Sequence, residues 1–155
     1  MKLIERLKFN NLLQNLSINQ IDTLNGIEFE NFVSDLFNYL GYSTTTTSIT
    51  GDNGVDILAK TKGISIGIQT KLYYNHNVGN KAIQEVFAGK NYYKLDYALV
   101  ITNWQFSAPA KNLAKQLNVG LIDRSVLISI LNSSRKEIKT LIDNIIKEIK
   151  RSQTC

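Results

Sequence analysis

Residues 64–71 alternate between apolar and small or polar side chains, and this alternation constrains the fold more than any other feature of the sequence. Isoleucine occupies every second position from 64 to 68. Successive side chains of a β-strand point to opposite faces of a sheet, so the isoleucines belong to a buried face. Gln69 and Lys71 then project together from the opposite face. The pattern predicts a strand that ends in two neighbouring polar groups.

A second predicted strand lies just before the first and contains one acidic residue. Residues 55–60 are mainly apolar, Asp56 interrupts the run, and Lys62-Gly63 supplies a tight turn between the two strands. A hairpin of this kind would bring an acid, an amide and an amine together. Asp52, in the preceding turn-forming segment, is better explained by local turn chemistry than by metal binding.

The other predicted elements place this hairpin in an α/β domain. Apolar residues recur every three or four positions from Asn25 onward until Gly41 ends the helix, and the Thr-rich residues 42–49 predict a strand. The elements that follow are a helix at 80–93, a strand at 97–102, a helix at 107–117 and a strand at 119–122. The predicted order is α-β-β-β-α-β-α-β, followed by helices.

The two ends of the chain are predicted to be helical extensions of one domain. Residues 1–24 form a helical extension, residues 25–132 the main domain, and residues 133–155 an amphipathic helix packed on it. The polar face of that last helix is rich in lysine and arginine. It is either a solvated surface or a track for phosphates.

Composition excludes several classes of protein. The chain has 155 residues, 43% of them hydrophobic, which is enough for one buried core, and no apolar run long enough to span a bilayer. Cys155 is the single cysteine, so neither a disulfide framework nor a zinc site of several cysteines is expected. The formal net charge of +5 favours a polyanionic partner. We expect a cytoplasmic protein that binds no membrane.

The convergent polar groups suit phosphodiester hydrolysis. Mg²⁺ prefers oxygen ligands and keeps several waters, so the Asp56 carboxylate, the Gln69 side-chain oxygen and the Thr70 backbone carbonyl are candidate ligands. Mn²⁺ is a possible substitute. Lys71 would activate or position the attacking water, or neutralise charge that develops on the phosphate.

The order of several short motifs resembles the catalytic domain of Mrr-type restriction endonucleases, within the PD-(D/E)xK nuclease superfamily. The motifs are Gly-Ile-Glu-Phe-Glu at 26–30, Gly-Asp-Asn-Gly-Val-Asp at 51–56, Ile-Gln-Thr-Lys at 68–71, Ala-Ile-Gln-Glu at 82–85, and Val-Gly-Leu-Ile-Asp at 119–123. The resemblance implies a restriction-endonuclease-like mixed central sheet flanked by helices, and Mg²⁺-dependent cleavage of DNA. It also implies that Asp56 is the main metal ligand, that Gln69 and Lys71 complete the catalytic motif, and that Glu30 is a supporting acid.

Helical periodicity alone does not choose between Glu28 and Glu30, which flank the apolar stripe on opposite sides. Asn25 is a good N-cap, and Glu28 would then complete a capping box. Glu30 is left without a capping role, in agreement with the resemblance.

Three further residues are candidates for contact with DNA. Tyr73 and His76 lie in an aromatic and amide-rich loop that could touch phosphates or stack on a base, or could simply pack its tyrosines. Gln84 and its neighbour Glu85 begin the next helix, where a solvated face explains both equally well.

The sequence is also compatible with two other functions. One is a structure-selective nuclease of the Holliday-junction-resolvase kind, and the other is a nuclease-like domain that binds nucleic acid without cutting it. Residues 1–24 are too few for a recognition domain, so specificity would need a separate partner. Cleavage of both strands with one site per chain suggests a homodimer.

Overall fold

The computed structural model of the protein describes residues 1–47 and 53–154, and within them seven helices flank a five-stranded sheet. The elements are α1 (Leu3–Asn15), α2 (Ile18–Ile21), α3 (Gly26–Leu40), β1 (Ser43–Thr46), β2 (Ile57–Thr61), β3 (Ile64–Lys71), α4 (Asn80–Tyr92), β4 (Tyr97–Thr102), α5 (Ala108–Leu117), β5 (Gly120–Ile122), α6 (Arg124–Leu131) and α7 (Arg135–Thr154). The end of the predicted strand 42–49, Gly51 and Asp52 of the predicted turn, and Cys155 lie outside the described residues.

The sheet is mixed, as the resemblance to restriction endonucleases implies. Its strand order is β1-β2-β3-β4-β5. The first three strands pair antiparallel, whereas β4 and β5 run parallel to β3. Gly63 adopts a positive φ of 81° in the turn of the β2-β3 hairpin. Because β2 and β3 are antiparallel, the start of β2 lies beside the end of β3, and this brings Asp56 to the Gln69 end of the hairpin.

Helices cover both faces of the sheet. Ile66 and Ile68 of β3 face a core shared with α1, α3 and α7. The other face carries Ala98 and Val100 of β4 and packs against α4 and α5. The alternation in β3 therefore directs its isoleucines to the α3 side and Gln69 and Lys71 to the α4 side.

Helix α3 begins and ends where its capping residues predict. The Asn25 side chain accepts a hydrogen bond from the Glu28 amide at 2.9 Å, and the Asn25 amide donates to the Glu28 carboxylate at 2.8 Å. Gly41 ends the helix with a φ of 104°. The predicted capping box is confirmed, and Glu28 has the structural role expected of it.

Strand β2 begins two residues later than the sequence pattern indicates. Val55 packs in the α4-side core, whereas Ile57 packs in the α3-side core. Residues two apart in a regular strand share a face, so the chain changes direction at Asp56. The Asp56 amide still donates to the Ile68 carbonyl at 2.8 Å, which keeps this residue attached to the end of β3.

Both ends of the chain contribute to the same core as the sheet. Phe9, Leu13 and Ile21 from the first two helices, and Ile138 and Ile142 from α7, are buried in the α3-side core. The predicted apolar stripe of the last helix is therefore confirmed. Across residues 1–47 and 53–154, the structure contains no helix with the length and apolar character that crossing a membrane requires.

Candidate active site

The Asp56 carboxylate is held at the end of β3 by several hydrogen bonds. Its Oδ2 atom accepts from the Thr70 amide at 2.7 Å and from the Thr70 hydroxyl at 2.9 Å. Nε2 of Gln69 donates to the same carboxylate at 3.2 and 3.3 Å. The structure thus brings together three of the predicted site residues, and it fixes the direction of the acidic group.

Gln69 is buried, with 2% of its surface exposed. Among the residues that the structure describes, its Oε1 atom is a buried acceptor without a hydrogen-bond partner. A buried polar atom of this kind costs free energy unless something satisfies it. An unsatisfied carbonyl oxygen beside a carboxylate fits an oxygen-preferring cation such as Mg²⁺.

The acidic groups do not by themselves form a dense metal site. In the described part of the chain, no three histidine, cysteine, aspartate or glutamate side chains gather into a group that could hold a metal ion. The predicted donor set uses one carboxylate with amide and backbone oxygens, and it leaves positions for water. That composition suits Mg²⁺, which is commonly bound through one or two carboxylates, better than zinc.

Lys71 forms an ion pair with a residue that sequence reasoning left unassigned. Its Nζ atom lies 3.4 Å from Oε2 of Glu85, and both side chains are partly buried, at 24% and 32% exposure. Glu85 belongs to α4, which packs on the face of the sheet to which Lys71 projects. Lys71 is thus tied to α4, whereas Asp56 is tied to Gln69 and Thr70.

Helical geometry distinguishes Glu85 from Gln84. At 100° per residue, Glu85 lies about 60° from buried Ala82, whereas Gln84 lies about 160° from buried Val86. Gln84 is accordingly exposed and Glu85 half-buried. The periodicity of the apolar residues in α4 is the signal that could have identified Glu85 as the residue nearer to the site, although sequence reasoning did not use it.

The loop after β3 is anchored at both ends. The Asn103 side chain accepts from the Tyr73 amide at 2.8 Å and donates to the Tyr73 carbonyl at 2.9 Å. The rings of Tyr73 and His76 contact each other with centroids 4.0 Å apart and planes tilted by 33°. Val78 exchanges backbone hydrogen bonds with the segment before α5. Tyr73 and His76 are therefore placed together in one ordered loop beside the site.

A polar network behind this loop connects the N-terminal extension to the sheet. Arg124 donates to both oxygens of Asp22, at 2.8 and 2.9 Å, and to the Asn103 carbonyl at 3.0 Å. Burial opposes ionisation of Asp22. Hydrogen bonds from Arg124 and Asn103, with the charge of Arg124, outweigh it and lower the pKa of Asp22. No local sequence pattern indicates this network, because its members are far apart along the chain.

Glu30 lies in the second turn of α3 and is half-buried. Helix α3 packs on the face of the sheet opposite to α4, so Glu30 and Glu85 belong to different layers. The structure therefore does not place Glu30 in the same layer as Lys71. Its part in catalysis stays a prediction.

Comparison with known proteins assigns this arrangement to a family. The model of the Mrr_cat family, described as "Restriction endonuclease", matches residues 21–131. No curated protein matches the sequence significantly.

Solved structures share the fold at low sequence identity. A protein of unknown function, AF1548, aligns with a TM-score of 0.56 and 18% identity over 80% of this chain and 86% of its own. The DNA modification-dependent restriction endonuclease AspBHI aligns with a TM-score of 0.56 and 16% identity over 98% of this chain. The MspJI restriction endonuclease, solved in complex with a 27-mer oligonucleotide, aligns with a TM-score of 0.50 and 16% identity over 96% of this chain.

The chain spans only 41% of the AspBHI chain and 35% of the MspJI chain. The shared part contains the mixed sheet and its flanking helices, and the family model covers most of the same residues. With its restriction-endonuclease-like fold and the matched family model, the chain belongs to the Mrr_cat family of restriction endonucleases.

Proposed function

We propose that this domain is a Mg²⁺-dependent endonuclease that hydrolyses phosphodiester bonds of DNA. The observation that carries the proposal is the oriented Asp56 carboxylate beside the buried, unpartnered Oε1 atom of Gln69. Membership of a restriction endonuclease family supports cleavage as the reaction. DNA as the substrate is supported by the structurally similar MspJI restriction endonuclease, whose structure contains an oligonucleotide.

In this proposal Asp56, Gln69 and the Thr70 backbone carbonyl hold the metal, with Glu30 as a supporting acid. Bound Mg²⁺, or Mn²⁺ in its place, would supply Lewis-acid polarisation of the phosphate and lower the pKa of a bound water. The Thr70 amide and hydroxyl keep the Asp56 carboxylate pointed at the end of β3. Such a pre-set carboxylate needs little rearrangement to bind a cation.

Lys71 supplies the positive charge of the site. Its ammonium projects from the strand that carries Gln69, two residues further on, so it lies on the same side of the sheet as the Gln69 side chain. A cation in this position stabilises charge that develops on the phosphate oxygens in the transition state. It also orients the attacking water by hydrogen bonding.

Recognition of DNA is assigned to the ordered loop and to the start of α4. Tyr73 and His76 present a pair of rings in mutual contact beside the site, and Gln84 presents an exposed amide. Amides and aromatic rings contact phosphates and bases in many protein–DNA interfaces. The proposal includes a homodimer, because cleavage of both strands with one site per chain needs two chains, and it includes a separate specificity partner.

A panel of DNA substrates tests the proposal. Supercoiled, linear, methylated and four-way-junction DNA would each be incubated with the protein and either Mg²⁺ or excess EDTA. We expect the protein to cleave at least one of these substrates, and we expect this cleavage to require Mg²⁺. In Lys71→Ala the cleavage rate should fall by about 100-fold or more, as it does when an enzyme loses one group that stabilises the transition state.

Two results would contradict the proposal. Intact DNA in every incubation, together with metal-independent DNA binding, would indicate a nuclease-like binding domain. Cleavage that persists unchanged in Lys71→Ala would indicate a contaminating nuclease. Cleavage confined to the four-way junction would agree with the proposed hydrolysis and would identify a structure-selective nuclease.

A further inference from the structure

Glu85 is held close to the site by backbone packing and not only by its ion pair. A Cβ atom placed on Gly54 would lie 2.0 Å from the Glu85 carbonyl oxygen and 2.5 Å from its carbon. Gly54 also has a φ of 83°, which side-chain-bearing residues rarely adopt. The segment that leads into Asp56 therefore lies directly against the backbone of Glu85.

A second glycine allows the same approach one turn later. A Cβ atom on Gly89 would lie 2.4 Å from the Asn53 carbonyl oxygen and 2.6 Å from Cγ2 of Val55. Glycines at both positions let the helix and the segment touch backbone to backbone. The position of Glu85 relative to Asp56 is thus fixed by main-chain contacts.

The carboxylate of Glu85 lies between two lysines that differ in burial. Lys81 is 3.7 Å away, but its side chain is 87% exposed, and such pairs contribute little. The Lys71 ammonium is 3.4 Å away, and its side chain is only 24% exposed. Less water can therefore solvate this ammonium in place of the carboxylate. Glu85 is therefore mainly a partner of Lys71.

We infer that Glu85 is a positioning residue for the reaction: it holds the Lys71 ammonium at the end of β3, in the place where the phosphate of DNA would meet it. This inference rests on the proposed function for the identity of the reaction. It adds a carboxylate from α4 to a site that otherwise consists of strand and α3 residues. A lysine side chain has several rotatable bonds, and a misplacement of about 1 Å of a catalytic group can slow a reaction about 100-fold.

The first measurement is the cleavage rate. We expect Glu85→Ala to lower the single-turnover rate constant by about 10- to 100-fold, while the affinity for DNA changes less than about twofold. Glu85→Gln, which keeps the shape and one acceptor oxygen, should lie between Glu85→Ala and the wild type. The melting temperatures of both variants should match the wild type, because the close packing involves only the backbone of Glu85.

The second measurement does not depend on activity. Reductive methylation of lysines, followed by mass spectrometry of peptides, reports how strongly each amine is protected. We expect Lys71 to react several-fold faster in Glu85→Ala than in the wild type. Asp143→Asn is the matched control, because it removes a carboxylate 3.3 Å from Lys139 and should release Lys139 alone.

The two measurements separate the possible failures. If Lys71 gains reactivity in Glu85→Ala but the wild type cuts no DNA, the ion pair stands and the proposed function fails. If the wild type cuts DNA and Glu85→Ala matches it in rate constant, the positioning role is wrong. Unchanged reactivity of Lys71 in Glu85→Ala would also overturn it.

Discussion

Gln69 occupies a position where an amide and a carboxylate have different physical consequences. Its Nε2 atom donates to Asp56, which an ionised carboxylate in its place could not do. In Gln69→Glu, two carboxylates would lie in a buried site, with their oxygen atoms separated by about the length of that hydrogen bond. Like charges at such distances disfavour ionisation of both groups, unless a cation lies between them.

We predict that Gln69→Glu destabilises the metal-free protein by roughly 1–3 kcal/mol at neutral pH. Repulsion between the two ionised carboxylates should make this loss grow as pH rises from about 4, where carboxyl groups begin to ionise. Saturating Mg²⁺ should restore most of the stability and should raise the melting temperature of the variant more than that of the wild type.

Thermal unfolding at several pH values, with Mg²⁺ and with EDTA, measures both effects. Gln116→Glu adds the same charge on the exposed side of α5 and serves as the control. A loss of stability in Gln69→Glu that is independent of pH and unaffected by Mg²⁺ would contradict a metal site at this position.

At the scale of elements, the contact between α4 and the segment before β2 determines how the two halves of the site meet. Glycine inside a helix normally costs stability, and alanine in its place normally adds about 0.5–1 kcal/mol. Gly89 should behave in the opposite way. We predict that Gly89→Ala destabilises the fold by roughly 1–3 kcal/mol, because its Cβ would meet the Asn53 carbonyl oxygen.

Urea denaturation of Gly89→Ala and Gly26→Ala provides the comparison. Gly26 lies in the first turn of α3, and a Cβ atom there meets nothing within 4 Å. Gly26→Ala should therefore be neutral or stabilising. Equal unfolding free energies for Gly89→Ala and the wild type would show that the backbone contact is not a constraint.

Most elements were predictable because each depends on a local pattern. Alternation in 64–71 predicted the buried and polar faces of β3, and the capping residues predicted the start of α3. The late start of β2 was not predictable, since it follows from the packing of Gly54 against α4. Sequence reasoning did not separate Glu85 from Gln84, although the periodicity of the buried α4 residues could have done so. No local pattern shows which residue a helix brings next to Lys71.

At the scale of the whole molecule, both ends of the chain pack into the same core as the central sheet. Asn103 and Arg124 both bind Asp22, from which they are separated by 81 and 102 residues in the sequence. Contacts at this separation depend on the complete fold, so sequence reasoning missed them. We keep residues 25–132 as the proposed catalytic domain, with 1–24 and 133–155 as extensions that share its core.

Ionisation of Asp22 should make this connection dependent on pH. The pKa of Asp22 lies below its usual value, so its contribution is present above the unfolded-state pKa of about 3.9 and is lost as pH falls through the lower folded-state pKa. We predict that Asp22→Asn costs about 2 kcal/mol at pH 7, as expected for hydrogen bonds to a charged group. The difference from the wild type should shrink below pH 4.

Urea denaturation at pH 7 and at about pH 3 measures that difference. Asp143→Asn, which breaks an exposed pair with Lys139, should cost less than about 0.5 kcal/mol at either pH. An Asp22→Asn difference that stays constant across this range would mean that ionisation of Asp22 does not stabilise the fold.

In the proposed function, DNA cleavage depends on a metal bound by Asp56. The most direct test compares single-turnover cleavage by the wild type and by Asp56→Asn in Mg²⁺, on the substrate that the wild type cuts. We predict a loss of about 1000-fold in Asp56→Asn, with the fold retained and with the same loss when EDTA is added to the wild type. Equal rates for the wild type and Asp56→Asn in Mg²⁺ would contradict the account.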